Sequence, residues 1–292
     1  MPKIGLVVDG VADLPPELIQ KHNIAVVPVK MDWPELETIP GENTFKKIRE
    51  AEKRGVKSFG KTSQPSPKDF LNAFKQQLPL FDQIICTTVT SKLSGTYNSA
   101  VQAKLMLSEQ EKERIFIVDS LNACCGEAMP TLKALDLIAQ GKEAKEIVKE
   151  MEEMVPGVKL YGLFTDPKWL EASGRLSHVL AEWVRKVQKL GVYPLLGIRK
   201  GLLTSIGIKT GVKSFPTALF HELESKTKKS LGQGKKVRIA ICHGDNPALA
   251  QELKQLVEKN LPGVEVAFIS LIDDILAVIV GPDSLIATWT EL

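Results

Sequence analysis

Residues 83–108 read QIICTTVTSKLSGTYNSAVQAKLMLS, and this stretch decides the fold. Gln83–Val89 is a short apolar run of strand length, and Ser94–Ser108 has the composition of a helix. A strand that feeds straight into a helix is the repeating unit of a parallel sheet with crossover helices. The alternation recurs on both sides. Lys3–Asp9 (KIGLVVD) reads as a strand ending in an acid, Pro15 and Pro16 open a helical stretch to His22, and Ile24–Val29 is a second strand. Asn43–Arg54 reads as a helix closed by Gly55. Ser66–Leu78 is a helix with a strong start: Ser66 caps it, Pro67 takes its first position and Asp69 completes the capping pattern. Arg114–Asp119 is a strand, and Ala128–Gln140 and Ala144–Met154 are helices.

Pro156 and Gly157 then break the pattern. The 292 residues suit two domains, and the break places them at 1–156 and 157–292. In the second, Lys159–Thr165, Val192–Ile198, Leu203–Lys209, Lys236–Cys242, Val264–Ile269 and Ile275–Val280 read as strands. Gly197 to Gly201 reads as a hairpin turn. Helices are expected near Pro167–Ala172, Val179–Lys189, Phe215–Lys228 and Ala248–Asn260.

Composition narrows the function. The chain is 43% apolar and 25% charged, which is globular rather than disordered. Its net charge is +3 with scattered basic residues, and the densest stretch, Lys226 to Lys236, reads as solvated surface, so no nucleic-acid partner is expected. Cys86, Cys124, Cys125 and Cys242 form no C-x-x-C pair, so neither a disulfide framework nor a zinc site is expected. Buried thiols in a reducing compartment are the expectation. With a strand at the very start no signal peptide is expected, and no apolar run reaches the length of a membrane span. A cytoplasmic protein follows.

Two loops concentrate hydroxyl groups. Thr62-Ser63-Gln64-Pro65-Ser66-Pro67 precedes a helix, and Ser91-Lys92-Leu93-Ser94-Gly95-Thr96-Tyr97 joins a strand to a helix. Strand ends that feed helix starts are where open α/β sheets bind ligands. The first N–H groups of a helix lack partners and carry partial positive charge. Ser94, Gly95 and the N–H groups beyond them can therefore hold an anion, and Thr62 can add a hydroxyl bond. The plainer reading makes these hydroxyls ordinary helix caps. Arg175, after Gly174, can pair a carboxylate, or can simply be a surface arginine. Asp9 and Asp119 end strands and read as caps of the turns that follow. His22, His178, His221 and His243 have no ligand spacing; His243, after a strand and before Gly244 and Asp245, can line a cleft, but a structural role is the plainer reading. There is no G-x-S-x-G and no G-x-x-x-x-G-K.

These residues resemble the DegV family along almost the whole chain. Asp9-Gly10-Val11-Ala12-Asp13-Leu14-Pro15 resembles its opening DST-ADLP segment, with Gly10 in place of the usual serine. Thr62-Ser63-Gln64-Pro65-Ser66 is its TSQPS motif, and Leu93-Ser94-Gly95-Thr96-Tyr97 with Ser99-Ala100 is its LSGTY-SA motif. Val118-Asp119-Ser120, Ser173-Gly174-Arg175-Leu176-Ser177 and Tyr193-Pro194-Leu195-Leu196 match its strand-ending DS, its GGRIS loop and its KPIL strand. The resemblance implies an α/β, two-domain DegV-like fold. A parallel sheet with crossover helices makes the N-terminal domain, and a mixed-sheet α/β domain closes over an acyl chain. It implies a bound long-chain fatty acid between the domains, with no cofactor, no metal and no catalytic residue. It makes Thr62 and Ser94 the carboxylate-binding hydroxyls, with Ser63, the Gly95 amide and Arg175 at the same end. A further implied partner is the kinase subunit of bacterial fatty acid kinase, which phosphorylates the presented carboxylate. Monomer or weak dimer is the expected assembly.

The sequence departs from the family in two places. The HTGPG motif reads Ile279-Val280-Gly281-Pro282-Asp283, so its histidine becomes Ile279. The common arginine after the second-domain hairpin becomes Lys209. Fatty acid binding is thus better supported than service to a kinase. Two other readings compete: a small-molecule hydrolase using Ser94 or Thr62, and a lipid store or sensor without phosphoryl transfer.

Overall fold

The computed structural model describes residues 2–211 and 213–292. The chain opens with β1 (Ile4–Asp9), α1 (Pro16–His22) and β2 (Ala25–Val27). It passes β3 (Lys30–Asp32), α2 (Pro34–Glu37), α3 (Thr44–Lys53) and β4 (Lys61–Ser63). Then come α4 (Pro67–Gln77), β5 (Gln83–Thr88), α5 (Thr96–Leu105), α6 (Glu109–Lys112), β6 (Ile115–Asp119), α7 (Cys125–Ala139) and α8 (Ala144–Met154). β7 (Lys159–Leu163), α9 (Lys168–Ala172), α10 (His178–Gln188), β8 (Val192–Arg199), β9 (Leu202–Thr210) and α11 (Phe215–Gly232) follow. β10 (Val237–His243), α12 (Pro247–Asn260), β11 (Val264–Leu271), α13 (Asp274–Val280) and β12 (Leu285–Glu291) end it.

Two compact units result. One comprises Met1–Lys30, Ser63–Val158 and Lys200–Leu202, the other Met31–Thr62, Lys159–Arg199 and Leu203–Leu292. The sequence break at Pro156-Gly157 falls just before the passage at Val158. The stretch from Met31 to Thr62 differs from the expected division, since it folds with the second unit. The cause is aromatic. Trp33 and Phe59 lie against Trp169 of α9, with ring centroids 6.2 and 5.2 Å away. Arg49 of α3 adds ion pairs to Asp245 and Asp283.

The first unit holds a four-stranded sheet of order β2-β1-β5-β6, parallel throughout. Every residue of β1 is buried, as a parallel strand covered on both faces requires. Val7, Ile84 and Cys86 share one face with Phe70 and Phe74 of α4 and Ala100 and Ala103 of α5. α7 and α8 pack on β5 from the face these helices leave. Ser66 and Asp69 form the expected capping box at the start of α4.

The second unit holds a six-stranded mixed sheet of order β11-β10-β12-β7-β8-β9. β10 and β11 are parallel, while β12 runs antiparallel to both β10 and β7. α11 and α12 cover one face through Leu219, Leu223, Leu253 and Val257. Two expectations fail here. Ile275–Val280 is not a strand but lies within α13, capped by Asp273, whose carboxylate accepts the N–H groups of Ile275 and Leu276. Its run is buried throughout from Leu276 to Val280, and a fully buried short helix looks like a buried strand in sequence. The last strand is β12. The hairpin turn is also shorter than Gly197 to Gly201. Lys200 and Gly201 make it, both with positive φ, as a tight hairpin demands. Gly197 instead sits inside β8, where a Cβ would stand 2.4 Å from the Leu160 carbonyl oxygen.

Candidate functional site

In the first unit the two hydroxyl motifs meet through Gln64. A Cβ on Gly95 would stand 2.0 Å from the Gln64 Oε1, so only glycine admits that carboxamide. Gln64 Nε2 donates to the Ser99 hydroxyl at 3.3 Å. Ser94 Oγ accepts the Thr96 N–H at 3.3 Å and lies 2.7 Å from the Thr96 hydroxyl. Ser94 is half-buried, Ser63 at the end of β4 is exposed, and Ser66 is spent on its cap. Gly95 is the N-cap of α5, one residue later than the sequence put the helix start. Among the described residues, no protein acceptor meets the N–H of Gly95, Tyr97 or Asn98. These donors converge on the kind of place an anion occupies.

The loop that carries Ser94 is held by carboxylates on both neighbouring strands. Asp9 Oδ2 accepts the Val89 N–H at 2.8 Å, and Asp119 Oδ1 accepts that of Ser91 at 3.2 Å. Both acids also cap the turns after their own strands, through Val11 and Leu121 as expected from sequence. Burial pushes the Asp9 carboxyl up to about 6, against the two backbone N–H groups of Val11 and Val89 that it accepts.

In the second unit Thr62 and Arg175 are partners. Arg175 Nη2 donates to the Thr62 hydroxyl oxygen at 3.2 Å, and Nη1 donates to the Ser173 carbonyl at 2.9 Å. Thr62 therefore spends a lone pair inward and keeps its O–H to give. Gly174, at φ +75°, turns the chain back so that the Arg175 and Leu176 N–H groups both reach the Leu170 carbonyl. The half-buried guanidinium is disfavoured by desolvation, and among the described residues no carboxylate neutralises it. A buried cation without a counter-ion costs free energy unless an anion arrives.

The remaining candidates have structural roles. His243 is buried, held neutral by desolvation, and its Nδ1 accepts the Asn246 N–H at 3.2 Å. Lys209 is paired with Glu222. Ile279 is a buried residue of α13. All four cysteines are buried. Gln64 was not singled out by sequence. The only signal for Gln64 was its place between two hydroxyl residues of one motif.

The family described as uncharacterised protein, DegV family, matches residues 3–291. A Thermotoga maritima protein named fatty acid-binding protein is 30% identical, over 96% of this chain and 95% of its own length. A solved Thermotoga maritima structure described as revealing fatty acid binding function is 26% identical, with a TM-score of 0.78 and 100% of each chain covered. A DegV family structure from Thermus thermophilus reaches a TM-score of 0.82 over 99% of this chain and 100% of its own. At 23% identity that last likeness is one of fold.

Proposed function

Because the chain belongs to the DegV family, we propose that it binds a long-chain fatty acid and that Thr62, Ser63, Ser94, Gly95 and Arg175 serve its carboxylate. The observation that carries this reading is Arg175. Its guanidinium is half-buried, bonded to Thr62, and has no carboxylate partner among the described residues. A fatty acid supplies that missing charge. The names of a Thermotoga maritima relative at 30% identity and of a solved Thermotoga maritima structure at 26%, both fatty acid binding, support the same ligand class.

The tail dominates affinity. A sixteen-carbon chain buried at about 0.8 kcal/mol per methylene contributes on the order of 10 kcal/mol before association costs. A charged hydrogen bond adds about 1.5–3 kcal/mol, so the polar groups fix which end lies where.

The protein acts in this reading as a binder without chemistry of its own. Nucleophilic catalysis needs a base beside the nucleophile. Ser94 Oγ is instead bonded to Thr96, and Thr62 Oγ1 to a guanidinium. Presentation to a separate kinase subunit is a narrower reading. Ile279 offers no group to a carboxylate and Lys209 is committed to Glu222, so binding carries the proposal. No helix among the described residues is long and apolar enough to cross a membrane, in keeping with a cytoplasmic role.

Mass spectrometry of organic extracts from the purified protein tests this directly. A fatty acid near one equivalent per chain is expected. Extracts free of fatty acid, with no uptake of added palmitate, overturn the reading. Acyl phosphate formed with ATP and a fatty acid kinase subunit decides the narrower one.

A further inference from the structure

Every N–H group from Val89 to Ser94 has an acceptor. Val89 donates to Asp9 Oδ2 at 2.8 Å, Thr90 to the Asn122 carbonyl at 2.8 Å and Ser91 to Asp119 Oδ1 at 3.2 Å. The next three all end on Thr90. Lys92 donates to its hydroxyl at 3.3 Å, and Leu93 and Ser94 donate to its carbonyl at 3.1 and 3.2 Å. The N–H of Gly95, which follows, is the first without a protein acceptor among the described residues. Thr90 thus closes the turn at whose end the open donors begin.

Thr90 is 0% exposed, so its own O–H must find an acceptor inside the protein. It finds one 111 positions along the chain, at the Gly201 carbonyl, 3.1 Å away. Gly201 lies in the tight turn between β8 and β9, and Lys200–Leu202 belong to the first unit together with Thr90. The fit is close. A Cβ on Gly201 would stand 2.6 Å from Thr90 Oγ1 and 2.8 Å from Lys92 Cγ, and φ there is +81°. Glycine takes that φ without strain and lets the hairpin backbone approach the hydroxyl. Without this bond a buried hydroxyl and a carbonyl lose their partner, and the turn must shift to satisfy them. We propose that the Thr90–Gly201 bond positions the Ser94–Gly95 loop, which makes the tip of the β8–β9 hairpin a determinant of carboxylate selectivity. Thr90 and Gly201 are positioning residues that act through Ser94 and Gly95, and the proposal rests on the fatty acid reading above.

The experiment uses the full chain, with palmitate and hexadecanol as probes and backbone NMR as a second readout. Thr90→Val keeps the shape and removes the hydroxyl. Its palmitate affinity is expected to fall by about tenfold or more, while its hexadecanol affinity stays within about twofold of wild type. Thr90→Ser keeps the O–H and restores palmitate binding to within about twofold. Gly201→Ala, which drives a methyl group at Thr90, behaves like Thr90→Val. In the wild type, palmitate shifts the Gly201 carbonyl resonance together with the Ser94 and Gly95 amides, a readout that needs no variant to fold. Thr90→Val that binds palmitate like wild type overturns the proposal, as does one that loses both lipids equally. So does Thr90→Ser as impaired as Thr90→Val, or a Gly201 resonance unmoved by bound palmitate. Wild type that binds no palmitate defeats the fatty acid reading. The ligand-free Ser94 and Gly95 amides still judge the bond, since shifts identical in Thr90→Val and wild type overturn it.

Discussion

The Arg175 guanidinium lies 3.2 Å from the hydroxyl oxygen of Thr62, a bond between residues 113 positions apart. It turns a threonine into a one-way donor and leaves a desolvated cation in want of an anion. Removing the guanidinium removes both effects. Arg175→Ala is expected to weaken palmitate binding by about ten- to a hundredfold, the value of one charged hydrogen bond. Arg175→Lys recovers little, because a single ammonium cannot reach Ser173 and Thr62 with the spread of a fork. Titration calorimetry checks this, and wild-type affinity in Arg175→Ala contradicts it.

Gly95 is required for what faces it. The built Cβ meets the whole Gln64 carboxamide, 2.0 Å from Oε1 and 2.5 Å from Nε2. Gln64 is exposed and flexible, so Gly95→Ala pushes it aside rather than breaking the fold. Backbone strain plays no part, since φ at Gly95 is −79°. Stability is expected to fall by only about 1 kcal/mol, the Gln64–Ser99 bond, while palmitate affinity drops measurably. Thermal unfolding and a binding titration of the same variant separate the two effects.

Trp169 holds the Met31–Thr62 stretch to the second unit. It is 3% exposed, touches Trp33 and Phe59, and stands where a side chain on Gly281 would be. Trp169→Ala is expected to cost about 3–5 kcal/mol in urea unfolding. A loss below 1 kcal/mol would mean that these rings do not anchor the segment.

Asp9 sets a pH dependence with a definite sign. Its folded value of about 6 lies above the ordinary carboxylate range because burial outweighs its hydrogen bonds. A raised acid contributes stability that is full below its unfolded value and is lost as pH rises through its folded value. The wild type should therefore lose stability relative to Asp9→Asn from about pH 4 to pH 7, by on the order of 3 kcal/mol. Unfolding free energies of both proteins across this range check it. A gap that stays constant, or moves the other way, contradicts it.

Much of this was legible in sequence because the signals were local. The Ser66-Pro67-Asp69 pattern fixed the start of α4, and the apolar runs of β1 and β5 fixed the parallel sheet. What failed depended on distant partners or on an ambiguous period. Trp33 and Phe59 look like any aromatics until Trp169 meets them more than a hundred positions later. The run ending at Val280 is apolar at nearly every position, so neither a helical nor a strand period stands out, and only the Asp273 cap distinguishes α13. Of the carboxylate-binding candidates, the motifs gave the hydroxyls. The Gln64 bridge and the Thr62–Arg175 bond needed coordinates.

The central claim is that hydroxyl and amide donors, with Arg175, select a carboxylate head group. Parallel titrations of palmitate and hexadecanol into wild type and the Thr62→Ala, Ser94→Ala double variant test it most directly. The wild type is expected to prefer palmitate by about tenfold or more, and the double variant to lose that preference while still taking up the alcohol. A double variant that keeps both the wild-type palmitate affinity and the preference over hexadecanol contradicts the account.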